Sequence, residues 1–363
     1  MCIIAGYSGK KQAAPILIEM LKKTEFIDGG LSTGIATIHE GKLYTRKVIG
    51  DVDTLLRETD ALDLPGTTGI IHSRTADNFL THAHPQISDD GLLAAVDNGT
   101  MHQALCPEFE KTSNRIMAEL LAKGVAVKSE VSADCGYKRL PNGNGYHETE
   151  LWALYIGDKV KNSPKESLSQ DIADATRDII TKLPADIITL NIHANLPDTV
   201  TIGNVTRPMS VGFGDGETYL ATVPLAFPDE IGKRPILHLP PTSVSQATPN
   251  GIKILSTSLD SVKVEQIDYR IAARIRRDME KILKDKKNSP VSIYDLPFRK
   301  EWEEVWKEPR VDCVYKNPNG LMKPYAAIMY EGLWSFHKEG RLHAVVEDDP
   351  RKPGHKQMKF WID

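Results

Sequence analysis

Met1-Cys2-Ile3-Ile4-Ala5-Gly6-Tyr7 opens the chain, and its second residue governs how the rest is read. An initiator methionine is trimmed when a small residue such as cysteine follows it. Trimming would leave Cys2 carrying both a thiol and a free α-amine. A thiolate is a strong nucleophile, and an amine beside it can manage the proton. The unperturbed pKa of such an amine, roughly 7.7–8, leaves a useful fraction neutral near pH 7. Read alone, Cys2 is more simply a small apolar residue at the head of a first strand, Cys2–Tyr7. The wider sequence decides between the two.

The 363 residues are 40% hydrophobic and 26% charged, ordinary for a globular chain able to bury a large core. A net charge of -4 supplies no electrostatic case for nucleic acid or an anionic membrane. Apolar runs stay well short of the roughly 20 residues that a membrane span needs. Gly9-Lys10-Lys11-Gln12 interrupts the start too early for a signal peptide. Cys2, Cys106, Cys135 and Cys313 are far apart, with no CxxC pair and no histidine at metal spacing. They read as reduced thiols of a cytoplasmic protein with no metal and no cofactor.

Strands and a few helices alternate over residues 1–265. Ala14–Leu21 suits a helix with Pro15 in its first turn. Gly34–His39 and Lys42–Val48 form a hairpin around Glu40-Gly41. Gly69–His72 and Leu92–Asp97 are short apolar strands running into polar loops, where binding residues sit on a rigid scaffold. Helices are expected after Thr149 and over Leu168–Leu183, then strands over Ala185–Leu190, Met209–Gly214 and Thr218–Thr222. Residues 266–288 belong to a basic amphipathic connecting helix, striped by Ile267, Ile271, Ile275, Met279 and Ile282. Residues 289–363 read as a small second domain. Its helices and terminal hairpin suggest a winged helix, and its four tryptophans suggest a core of its own.

Four stretches occur together in order: Met1-Cys2 with Ala5-Gly6-Tyr7, Gly69-Ile70-Ile71-His72-Ser73-Arg74, Ala83-His84-Pro85, and Val96-Asp97-Asn98-Gly99. The set resembles the class II (N-terminal nucleophile) glutamine amidotransferase domain, most nearly the glutaminase half of glucosamine-6-phosphate synthase. Gly30–Ala36, Glu148-Thr149-Glu150 and Val211–Glu217 extend the likeness across residues 1–265. The resemblance implies an α+β fold, the four-layer αββα sandwich of N-terminal nucleophile hydrolases. It implies that Cys2 attacks the side-chain amide of L-glutamine. Asn98 and Gly99 would form the oxyanion hole, and Arg74 would bind the substrate carboxylate. Glu148 would meet the α-ammonium, although it reads equally as an acid placed at a helix N-terminus. Ala76 lies in the loop that covers the substrate, and His84 supports that loop rather than reacting.

The physical needs of amide hydrolysis agree with these assignments. The tetrahedral oxyanion requires fixed donors, and a guanidinium fork suits a carboxylate better than a point charge does. Three departures stand out. Ile3 occupies a family glycine position. Asp28-Gly29-Gly30-Leu31-Ser32 replaces an Arg-Gly-x-Asp-Ser segment, and Thr75–Phe79 replaces the usual loop sequence after the arginine. No sugar-isomerase, phosphoribosyl-diphosphate or pyrophosphatase motif follows, so the chain reads as a glutaminase module serving a separate ammonia-accepting synthase. Residues 291–363 hold twelve basic and twelve acidic side chains, which favours protein docking over nucleic acid. A homo-oligomer is left open. Two other readings stand beside the main one: an N-terminal cysteine amidohydrolase acting on another linear amide, and a non-catalytic sensor or scaffold.

Overall fold

The computed structural model describes residues 2–75, 79–104, 108–132, 138–257, 269–293, 295–296 and 322–363. The chain runs β1 (Ile3–Ser8), α1 (Ala13–Thr24), β2 (Ser32–His39), β3 (Lys42–Ile49), α2 (Val52–Glu58), β4 (Thr68–Arg74), β5 (Gln86–Ile87) and β6 (Leu93–Ala104). Next come α3 (Phe109–Ala122), α4 (Glu148–Val160), α5 (Leu168–Lys182), β7 (Ala185–His193), β8 (Val200–Asn204), β9 (Ser210–Gly214) and β10 (Glu217–Ala221). A short α6 (Asp229–Gly232) precedes β11 (Leu237–His238), β12 (Ser243–Thr248) and β13 (Gly251–Ser256). The last elements are α7 (Tyr269–Leu283), β14 (Val291–Ser292), α8 (Met322–Lys338), β15 (Leu342–Asp348) and β16 (Lys356–Ile362).

Two antiparallel sheets face each other. The first has the order β11-β9-β10-β1-β4-β2-β3, the second β13-β12-β8-β7-β6-β5. β1 is the central strand, and its alternation shows why. Ile3, Ala5 and Tyr7 turn toward α1 and α2, in one core with Leu17, Leu21 and Leu55. Ile4 turns the other way, into the layer between the sheets with Ile70, Val96, Ile188 and Leu190. Leu93, Ala95 and Ile187 face outward from the second sheet onto α3, α4 and α5. The result is four layers: helices, sheet, sheet, helices. A strand covered on both faces reads as continuously apolar, as Ile3-Ile4-Ala5 does. The β2–β3 hairpin closes at Glu40 and Gly41, with φ of 47° and 73°, the left-handed pair that a two-residue turn demands.

The C-terminal elements differ from expectation. A three-stranded sheet, β14-β16-β15, packs with α7 and α8, but its apolar residues are not a separate core. Ile275, Met279, Met329, Tyr330, Leu333, Phe336 and Phe360 belong to the same buried cluster as Ile3, Leu17 and Ile27. Trp334 lies against Gly232 in α6. The stripe on α7 and one face of α8 therefore extend the outer layer of the first sheet. Trp302 and Trp306, and the helix expected around Glu301–Glu308, lie outside the described residues. No helix among those described is long and apolar enough to cross a membrane.

Candidate active site

Register places the key residues. Ile3 pairs with Ser73, so Cys2 lies one step further along, level with Arg74 at the end of β4. Alternation sends both toward the space between the sheets, since Ile4 and Ile70 already point there. From the facing sheet, Ala94 and Val96 point into the same space, and Asn98 follows them two residues on. Nucleophile candidate, arginine and asparagine thus meet at one end of the slot.

The contact itself is direct. The Cys2 nitrogen donates to Asn98 Oδ1 at 3.0 Å. In the encoded chain this nitrogen is an amide. Removal of Met1 would make the same atom an α-amine already held by an acceptor. Cys2 is a free, half-buried thiol. Asn98 Nδ2 donates to Thr222 Oγ1 at 3.3 Å, and that hydroxyl also accepts from the Ile4 N–H at 3.2 Å. Thr222 therefore ties the asparagine to the strand that bears the cysteine.

Asn98 and Gly99 are strand residues of β6, paired with Ile188 and Ile187 of β7. Ile187 gives its carbonyl to the Val205 N–H on the β8 side at 3.0 Å. Its pairing with Gly99 is then of the non-hydrogen-bonded kind, and the Gly99 N–H points away from β7. Only glycine fits there. Its φ is 143°, and a Cβ would stand 2.0 Å from the Asp186 carbonyl oxygen.

Arg74 is buried and donates from Nη1 to the His82 carbonyl at 2.8 Å. Around it stand four histidines. His72 and His84 have ring centroids 4.1 Å apart, His84 and His147 5.0 Å, and His82 and His147 5.4 Å. Burial, then the neighbouring positive charge of Arg74, keeps His72 far below the usual histidine range. Burial does the same for His84 and His147, reinforced by the surrounding histidines, Arg74 and Lys47. His84 is joined to Pro85 by a cis peptide, and its Nδ1 accepts from the Asp97 N–H at 3.2 Å. A neutral ring is what that bond requires. His84 thus braces the residue next to Asn98.

Two acids border this cluster. Asp97 points to the helix side of β6, fully buried, with no hydrogen bond to either oxygen. Burial pushes it up to about 7, although the hydroxyls of Thr189 and Thr149 lie close enough to oppose this. Glu148 is the first residue of α4, as the helix-terminus reading had it. It is also buried beside His147, and burial lifts it to about 7 against the pull of Lys138. Ala76 lies outside the described residues.

Sequence reasoning missed several neighbours. Asp28, at the family arginine position, is buried, and burial raises its pKa. Arg207 forms a buried ion pair with Asp186, the residue that backs Gly99, and its charge reaches both Asp28 and Tyr330. Tyr330 of α8 is buried in the same region, within electrostatic reach of Asp28 and Cys2. The departure at Asp28 was visible in the sequence. Arg207 and Tyr330 sit in no motif, and only folding brings them near.

No family model matches the chain. It is 28% identical over 225 residues to the glutamine–fructose-6-phosphate aminotransferase (isomerizing) of Pyrococcus horikoshii, covering 61% of this chain and 32% of that protein. A Nostoc enzyme of the same name is 28% identical over 70% of this chain and 36% of its own. The chain therefore spans about a third of the length of the curated relatives it matches. In fold it is similar to the glutamine phosphoribosylpyrophosphate amidotransferase of B. subtilis, with a TM-score of 0.55 at 18% identity, over 78% of this chain and 58% of that one. In motif order, and in these curated relatives, this chain is similar to the class II glutamine amidotransferases.

Proposed function

We propose that residues 1–265 hydrolyse the side-chain amide of L-glutamine through Cys2, once Met1 is removed. The observation that carries this reading is the 3.0 Å bond from the Cys2 nitrogen to Asn98 Oδ1, with Arg74 level with Cys2 in the sheet register. The Cys2 sulfur adds to the amide carbon, and its proton passes to the freed α-amine. The oxyanion is met by the second N–H of Asn98 Nδ2 and by the Gly99 N–H. The α-amine then protonates the leaving nitrogen, which departs as ammonia and leaves a thioester. Water, deprotonated by the same amine, hydrolyses the thioester to glutamate. Arg74 holds the substrate carboxylate, and Glu148 meets the α-ammonium when ionised. Donors fixed before the reaction stabilise the oxyanion without reorganising, worth about 3 kcal/mol each.

The ammonia goes to a separate synthase in the cytoplasm. Residues 289–363, joined by the 266–288 helix, act as a winged-helix-like docking module. The helix-then-hairpin order of α8, β15 and β16 and the even charge of this region support that part. Purified protein is expected to release glutamate and ammonia from glutamine, with activity confined to chains whose mass lacks Met1. Cys2→Ala abolishes turnover. Full activity with Met1 retained would overturn the mechanism.

A further inference from the structure

A cleft of about 390 Å³ opens beside the cysteine centre, between the amidotransferase layers and the tip of the β15–β16 hairpin. One wall is the Asp28-Gly29 loop with Thr75, and the other carries Lys352, His355 and Lys356. The volume is at the lower end of small-molecule sites, which run from roughly 300 to 1,000 Å³.

The hairpin tip is internally braced. The Asp349 N–H bonds the His355 carbonyl at 2.6 Å, and the Lys352 and His355 N–H groups bond back at 3.0 Å each. Asp349 also spends its charge within the tip, pairing with Arg351 Nε at 3.0 Å, while Arg351 donates to Gln357 at 3.0 Å. The two lysines are different. Lys352 forms no close ion pair among the described residues, its charge reaching Asp28 and Asp349 at longer range, and Lys356 has Asp51 at 3.9 Å. Lys356 also stands 5.4 Å over the Phe26 ring. The acid in the opposite wall, Asp28, is buried, and burial raises its pKa against the pull of Arg207 and Lys352. A braced loop therefore holds two exposed ammonium groups over a cleft of ligand size.

We propose that this cleft binds a small oxyanion-bearing ligand, a phosphate or carboxylate compound, through Lys352 and Lys356. Thr75 directly follows Arg74, so the occupant borders the amide-hydrolysing centre while remaining outside it. The two halves of the chain then share one ligand site, which gives the C-terminal hairpin a task beyond packing. The proposal concerns binding and does not depend on glutamine hydrolysis.

The test is calorimetric titration of the full chain with inorganic phosphate, and separately with succinate, at low ionic strength with sodium chloride as control. One saturable site per chain is expected, weakened at least tenfold in the Lys352→Ala/Lys356→Ala double variant. Both lysines are exposed, so the variant is expected to keep the wild-type circular dichroism spectrum. Binding of phosphate alone identifies a phosphate ligand, and binding of succinate alone a carboxylate. Absence of saturation with both probes overturns the proposal, as does equal affinity in the double variant. So does displacement of the bound anion by glutamine, which would make the cleft part of the amide site.

Discussion

Asp97→Asn isolates the electrostatics of the strand that presents Asn98. The Asp97 carboxyl is buried, and burial lifts its pKa from 3.8 to about 7 against the opposing Thr189 and Thr149 hydroxyls. The folded protein therefore holds this proton to higher pH than the unfolded chain does. Unfolding releases the proton between about pH 4 and 7, so stability falls as pH rises through that window. A tenfold difference in proton affinity between the folded and unfolded chain is worth about 1.4 kcal/mol. The rise at Asp97 therefore costs about 4 kcal/mol once the window is passed. Integrated from pH 5 to pH 7, the loss from this group alone is about 2 kcal/mol. Asparagine keeps the shape and cannot titrate. Urea unfolding of wild type and variant at pH 5, 6, 7 and 8 gives the stability difference, in which the other buried acids cancel. The variant is expected to gain about 2 kcal/mol relative to wild type between pH 5 and 7. A stability difference independent of pH would refute the argument, because it would mean that Asp97 is ionised throughout in the fold.

Gly99→Ala forces a Cβ to 2.0 Å from the Asp186 carbonyl at a φ of 143°, and the strain costs about 3 kcal/mol or more. A melting temperature unchanged from wild type would show that β6 is not held as described. Thr222→Val keeps the volume but strands the Ile4 N–H and one N–H of Asn98, at a cost of about 2 kcal/mol. A freed Asn98 also lowers kcat for glutamine by about tenfold with KM little changed, and steady-state kinetics that move KM alone would contradict this.

Much of the fold was legible because its periodicities are local. The β2–β3 hairpin, α5 and the apolar stripe of α7 follow from alternation and helical spacing over a dozen residues. Other elements carried weaker signals. The stretch Phe109–Ala122 forms α3 from a polar sequence whose buried side, Phe109, Ile116, Met117 and Leu120, becomes clear only against α4. The supposed separate C-terminal core failed for a related reason. Four tryptophans can argue that a core exists, but not whose core it is, and α7 and α8 complete the outer layer of the first sheet.

The candidate site divides in the same way. Cys2, Arg74, Asn98 and Gly99 stand in short ordered motifs because each must occupy a particular strand end, and strand ends are written in contiguous sequence. That was sufficient to name the residues to test. The surroundings that tune it come from distant segments: Thr222 from the strand beside β1, Arg207 after β8, Tyr330 from the C-terminal helix. Burial of Asp97, Glu148 and the histidines is likewise a property of layers closing over them. A residue's type is local, whereas its dielectric environment and partners are set by every chain segment within a few ångströms, and only the folded chain supplies those.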